Sequence, residues 1–220
     1  MVGILFAALC WGIWQLSPHN VAMLAFEKDA ILAGEWWRLW TAHFTHFKYS
    51  QLLINTIVIA LLGLIAGHFA KIWQFALILL IAMPVMTGLL LLTTPNLLFF
   101  RGAVGVAAMV WMIATWFLIV ESKRFSLGYW LGLVFLLLFI GKVGMEGLAL
   151  LSPSASRFAG LQIAWLVQLY GTLVGLAFFN ALHQMHVTNA GDNPQYRGPY
   201  GNKPNRAAQL NKLNQSKQRR

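Results

Sequence analysis

A chain of 220 residues in which 59% are hydrophobic and only 10% charged lies far from a soluble domain, where about a quarter of residues carry charge. This balance excludes an ordinary water-soluble enzyme and points to a polytopic membrane protein. The net charge of +10 does not describe a nucleic-acid surface, because seven of the 16 basic residues fall in the last 24 positions.

Six apolar segments follow one another, at about 2–16, 50–68, 72–92, 102–120, 127–151 and 158–182. A bilayer-spanning helix needs about 20 residues. Most segments meet this, and the first two are a little short, which suggests tilt or local thinning of the membrane. The stretch from Met1 to Leu16 has neither the basic start nor the small-x-small cleavage site of a signal peptide, so it reads as a transmembrane helix. Its Cys10 is the single cysteine. That excludes an internal disulfide or a cysteine-rich metal site, and no cofactor or metal is expected.

Between the first two spans, residues 17–49 carry Glu27, Lys28, Asp29, Glu35, Arg38 and Lys48, with Trp36, Trp37 and Trp40 around Arg38. Tryptophans at the edge of an apolar span prefer the headgroup level, so this segment is expected to lie in the interface as short helices. The predicted fold class is therefore an all-α membrane protein, a six-transmembrane-helix bundle over residues 1–183 with an interfacial first loop. A basic tail, 184–220, follows. From about Val187 the sequence turns to Asn, Gly, Pro, Gln and basic residues, a composition that predicts disorder. Its charges place both termini in the cytoplasm by the positive-inside rule. Lys71, Lys123 and Arg124 then fall on the same side, and Lys28, Arg38, Lys48, Arg101 and Arg157 on the other.

Polar groups within the spans are the informative residues, because each costs free energy unless it faces a partner or a cavity. The second span begins with Gln51 and Asn55, four apart on one helical face, and carries Gly63 and Gly67 at the Gly-x-x-x-Gly spacing of close helix packing. The fourth opens with Arg101-Gly102-Ala103-Val104-Gly105, where two glycines allow another backbone or a substrate to come close. Its one hydroxyl, Thr115, lies about three turns deeper. The fifth carries Lys142 and Glu146, spaced to pair along one face. They read either as a structural ion pair or as a contact to a partner. The sixth carries Gln168, Gly171 and Gly175.

Three stretches in order resemble the rhomboid family of intramembrane serine proteases. Glu35-Trp36-Trp37-Arg38-Leu39-Trp40-Thr41, His43-Phe44-Thr45-His46 and Gln51 to Asn55 resemble its Trp-Arg motif, first-loop histidine and His-x-x-x-Asn. Gly102-Ala103-Val104-Gly105 is similar to its Gly-x-Ser-Gly, and Gln168 to Gly175 to its His-x-x-Gly-x-x-x-Gly. The six-span layout with Lys142 and Glu146 looks closest to the rhombosortase branch, which the resemblance implies processes clients with a C-terminal glycine-glycine motif, a transmembrane helix and a basic end. His46 matches the family's structural loop histidine and is expected to hydrogen-bond.

The departures fall on the chemistry. The family's serine nucleophile, histidine base and first oxyanion donor are matched here by Val104, Gln168 and Gln51, with Asn55 retained. Valine has no nucleophilic atom, and an amide does not titrate near neutral pH. The resemblance thus implies a pseudoprotease of the bacterial inner membrane. Gln168 would remain free to bond Asn55, Gln51 or a client backbone. The expected partners are an active rhombosortase-type protease or a client transmembrane segment, within the lipid bilayer and without nucleic acid. Two alternatives stay open: a protease using unconventional residues such as His43 or His46, with which Ser152, Ser154 and Ser156 form no recognisable dyad by spacing, and a lipid- or substrate-handling membrane protein.

Overall fold

The computed structural model describes residues 1–151 and 159–192, with side chains for 1–151 and 160–185. In chain order these form α1 (Val2–Trp14), α2 (Pro18–Leu24), β1 (Phe26–Glu27), α3 (Lys28–Leu32) and α4 (Arg38–Thr41), which runs into a 3-10 turn at Ala42–Phe44. Then come α5 (Tyr49–Phe69), α6 (Ile72–Thr93), β2 (Phe99–Phe100), α7 (Val104–Glu121), α8 (Leu127–Leu150) and α9 (Ala159–Asp192).

Five helices, α5 to α9, are long and apolar enough to cross a membrane. The first apolar segment is the exception to the expected six. α1 has 13 residues, about 20 Å at 1.5 Å per residue, short of the roughly 30 Å hydrocarbon core. It stops because Ser17-Pro18 starts a new helix: the Ser17 hydroxyl accepts from Asn20 N at 3.3 Å, with Pro18 at the first helical position. α5, expected over 50–68, is a full 21 residues. α9 continues to Asp192, past the expected end at 182, since 181–190 contain neither proline nor glycine. Its last nine residues therefore fall inside the segment read as tail. The rest of that tail, the serines at 152, 154 and 156, and Arg157 lie outside the described residues.

Contacts fix the direction of each helix. Gly3 abuts Gly63 and the Trp11 indole donates to Thr56 Oγ1 at 3.2 Å, so α1 runs antiparallel to α5. Gln51 meets Gly102 while Phe69 stacks on Phe117 at 4.7 Å, so α5 and α7 run the same way. Phe117 meets Phe179 edge-on at 5.1 Å, which aligns α9 with them. Trp111 donates to the Phe135 carbonyl at 3.0 Å on the antiparallel α8. The start of α1, the turns at 70–71 and 122–126 and the far part of α9 thus share one end of the bundle. The first loop and residues 94–103 share the other.

α7 is the central element, with 12 of its 18 residues buried among α5, α8 and α9. α8 is peripheral and buries only Gly132 and Phe139. The closest approach is between α7 and α9. A β-carbon on Gly171 would overlap the Gly105 carbonyl, one on Gly175 would stand 2.7 Å from the Met109 carbonyl, and one on Gly105 would stand 2.7 Å from Val167 Cγ1. The Gly63 and Gly67 pair behaves differently from its spacing. A β-carbon on Gly63 would stand 3.1 Å from Gly3 Cα, while one on Gly67 would touch nothing within 4 Å.

The first loop is bound to the bundle by polar contacts. Arg38, 4% exposed, donates to the Ala22 and Ala25 carbonyls at 2.7 and 2.8 Å, which caps α2, and pairs with Glu35 at 2.6 Å and Glu27 at 3.6 Å. β1 pairs antiparallel with β2, setting Phe26 opposite Phe100. Trp40 donates to the Leu80 carbonyl at 2.8 Å. That carbonyl is the one freed by Pro84, which has no N–H to offer it. The loop is therefore anchored halfway along α6.

Gly171→Ala is expected to lower stability by about 2 kcal/mol or more by forcing α9 off α7. Gly67→Ala should be neutral or stabilising by up to about 1 kcal/mol. Unfolding in a mild detergent, followed for both variants, checks the contrast.

Candidate functional site

The candidate site is built where the first loop, the start of α5 and the head of α7 meet. Gly102 adopts φ +142, a conformation that L side chains rarely take. Its N–H donates to the Ala42 carbonyl at 3.2 Å, and the Gln51 amide lies where a side chain would otherwise stand. Gln51 in turn donates from Nε2 to the Arg101 carbonyl at 3.2 Å and accepts from Phe47 N at 3.4 Å. Gln51 is thus a strut between α5 and the chain entering α7.

Val104 is the first residue of α7. It packs partly buried against a cluster of Phe26, Ile31, Ala42, Leu90, Phe100 and Val167. This position presents no nucleophile and is surrounded by apolar side chains. Gly105 rests against Val167 and Met86, so the next residue of α9, Gln168, comes close to α7.

Gln168 does not turn towards Asn55 or Gln51, as the sequence suggested. At 1% exposed it faces α8. Lys142 Nζ donates to Gln168 Oε1 and to Glu146 Oε1, the latter at 2.7 Å, and Gln168 Nε2 donates to Glu146 Oε2 at 3.1 Å. The three side chains form a closed ring. Lys142 and Glu146 form the ion pair that their spacing allows, joined by a residue of α9 that no single-helix spacing predicts. The opposite charges and the amide satisfy one another, which is how such groups are carried within apolar spans. Both amide atoms of Gln168 are thus bonded, and an amide does not titrate near neutral pH.

Asn55 is buried, and its Nδ2 has no hydrogen-bond partner. Trp36 is 66% exposed, as suits an interfacial residue, whereas Arg38 is the buried centre of the loop. His46, expected to hydrogen-bond, is 4% exposed and neither ring nitrogen has a well-formed partner. His43 carries the bond instead. Its Nε2 faces the Met83 carbonyl at 3.0 Å and Thr87 Oγ1 at 2.7 Å, and Thr87 donates to the Leu39 carbonyl at 3.0 Å. Thr87, and the bond of Trp40 to α6, were missed from sequence. Pro84 is the signal that could have found Trp40, because a proline inside a helix leaves an acceptor four residues back.

Burial pushes both loop histidines down to about 4, opposed at His43 by the Met83 and Gly102 carbonyls and at His46 by the Phe44 carbonyl. Each is therefore neutral in the folded protein at neutral pH and has no positive charge to lend to catalysis.

No family model matches the chain, and comparison with curated proteins gives no match.

The lowered histidine values predict a pH dependence of stability. Between about 6.5 and 4 the unfolded chain takes up protons that the folded loop refuses, so stability present above pH 6.5 is lost as pH falls through 4. Each histidine contributes up to about 1.4 kcal/mol per pH unit. Unfolding followed across this range should show the fall in the native chain and a shallower one in His46→Phe. Equal slopes would mean that His46 titrates normally.

Proposed function

We propose that the chain is a six-span, rhomboid-like pseudoprotease of the bacterial inner membrane with both termini in the cytoplasm. It acts as an accessory, chaperone-like or regulatory partner of an active rhombosortase-type protease or of its transmembrane-tailed clients. α1 serves as the sixth span, its short length matched by local thinning of the bilayer. Its antiparallel packing on α5 through Gly3 and Gly63 supports this.

The observation that carries the reading is the fate of the two positions where a rhomboid needs its serine and histidine. Val104 is packed into an apolar cluster, and the Gln168 amide is committed to Lys142 and Glu146. Nucleophilic catalysis needs an activated nucleophile with a base within hydrogen-bond reach. Here a replacement serine would stand among apolar groups with no base beside it. The close crossing of α7 and α9 is nevertheless kept, as expected of a protein selected for its surface and shape.

The purified full chain in proteoliposomes should not cleave a client that ends in a glycine-glycine motif, a transmembrane helix and a basic tail. Val104→Ser should not restore cleavage. Cleavage by the native chain, abolished by changing His43 or His46, would overturn the proposal in favour of an unconventional protease.

A further inference from the structure

We infer that the turn between α7 and α8, Lys123-Arg124-Phe125, is a binding site for the phosphate of an anionic phospholipid headgroup. The turn is closed by Ser126 N donating to the Lys123 carbonyl at 2.9 Å, which places Phe125 at its third position. There φ is +64, the one positive value outside glycine among the described residues. Glycine or asparagine is the usual residue at such a position. A bulky aromatic held there is an outlier that calls for a reason outside the backbone.

The reason lies in what the turn presents. Phe125 is 65% exposed and packs with Tyr129 and Trp130 at centroid distances of 6.0 and 6.2 Å, while those two meet at 5.9 Å. This three-ring platform sits where a membrane-crossing helix leaves the apolar layer, the level that aromatic rings favour. The Arg124 guanidinium lies over the Phe125 ring, 5.3 Å from its centre. The ring holds the cation without neutralising it.

Both cations are exposed and neither forms an ion pair with a carboxylate among the described residues. The acid just before them, Glu121, is taken by His183 at 2.9 Å. Two unpaired cations beside an aromatic platform at the bilayer edge fit a lipid, whose phosphate meets Lys123 and Arg124 while its glycerol and upper acyl chain lie against the rings. A free anion would use the charges and leave the rings without a role. Membrane anchoring of this kind gains about a kcal/mol for each basic residue near an anionic surface, or about fivefold in affinity.

Native mass spectrometry of the full chain in detergent, titrated with phosphatidylglycerol and with phosphatidylcholine, tests the site. The expected result is preferential retention of phosphatidylglycerol, weakened about fivefold by each of Lys123→Gln and Arg124→Gln with the basic tail intact. Phe125→Gly should unfold at the same temperature or higher, since glycine accepts the turn, yet lose the preference. Equal retention of both lipids, a preference unchanged in the charge variants or in Phe125→Gly, or displacement of the lipid by inorganic phosphate would each overturn the inference.

Discussion

The contact on which the rest of the molecule depends is the backbone approach of α9 to α7 at Gly171 and Gly105. No larger residue fits at Gly171, and Gly175 repeats the condition one turn on. Lipid tails are as apolar as leucine, so helices in a bilayer gain little from hydrophobic burial and much from close van der Waals contact. This contact makes α7 a central post. It also sets the height at which Val167 meets Gly105 and hence the direction in which Gln168 can reach.

Around that post the polar groups are matched in pairs or rings rather than left as isolated functional groups. Arg38 draws two carbonyls and two carboxylates into the first loop. Trp40 takes the acceptor that Pro84 leaves open. Lys142, Glu146 and Gln168 close on one another. Each arrangement lowers the cost of a polar group in an apolar setting. Among the described residues, Asn55 Nδ2, His43 Nδ1 and the His46 ring are exceptions, without a well-formed partner.

Much of the fold was legible in the sequence because bilayer-crossing helices announce themselves by length and apolarity. The boundaries of α6, α7 and α8 lie close to those expected. α1 and α9 differed at their ends, where Ser17-Pro18 supplies a stop and the run before Gly191 supplies none. The site was less legible. Spacing along one helix revealed that Lys142 and Glu146 share a face, but not that Gln168 completes their ring, since the meeting depends on how α8 and α9 sit against each other. The two-residue strands are likewise invisible as a pattern, and their pairing joins segments more than seventy residues apart. His46 was the histidine expected to hydrogen-bond, yet it is His43 that lies against α6 in a bonding position.

The account rests on the claim that the chain works by holding a membrane partner rather than by cutting one. The most direct measurement is chemical cross-linking in native membranes, followed by purification of the full chain and mass spectrometry of what is joined to it. The account predicts enrichment of a rhomboid-type protease with its serine and histidine intact, or of proteins with a C-terminal transmembrane helix and basic end, over a control membrane protein at equal expression. Recovery of neither class above that control would contradict it.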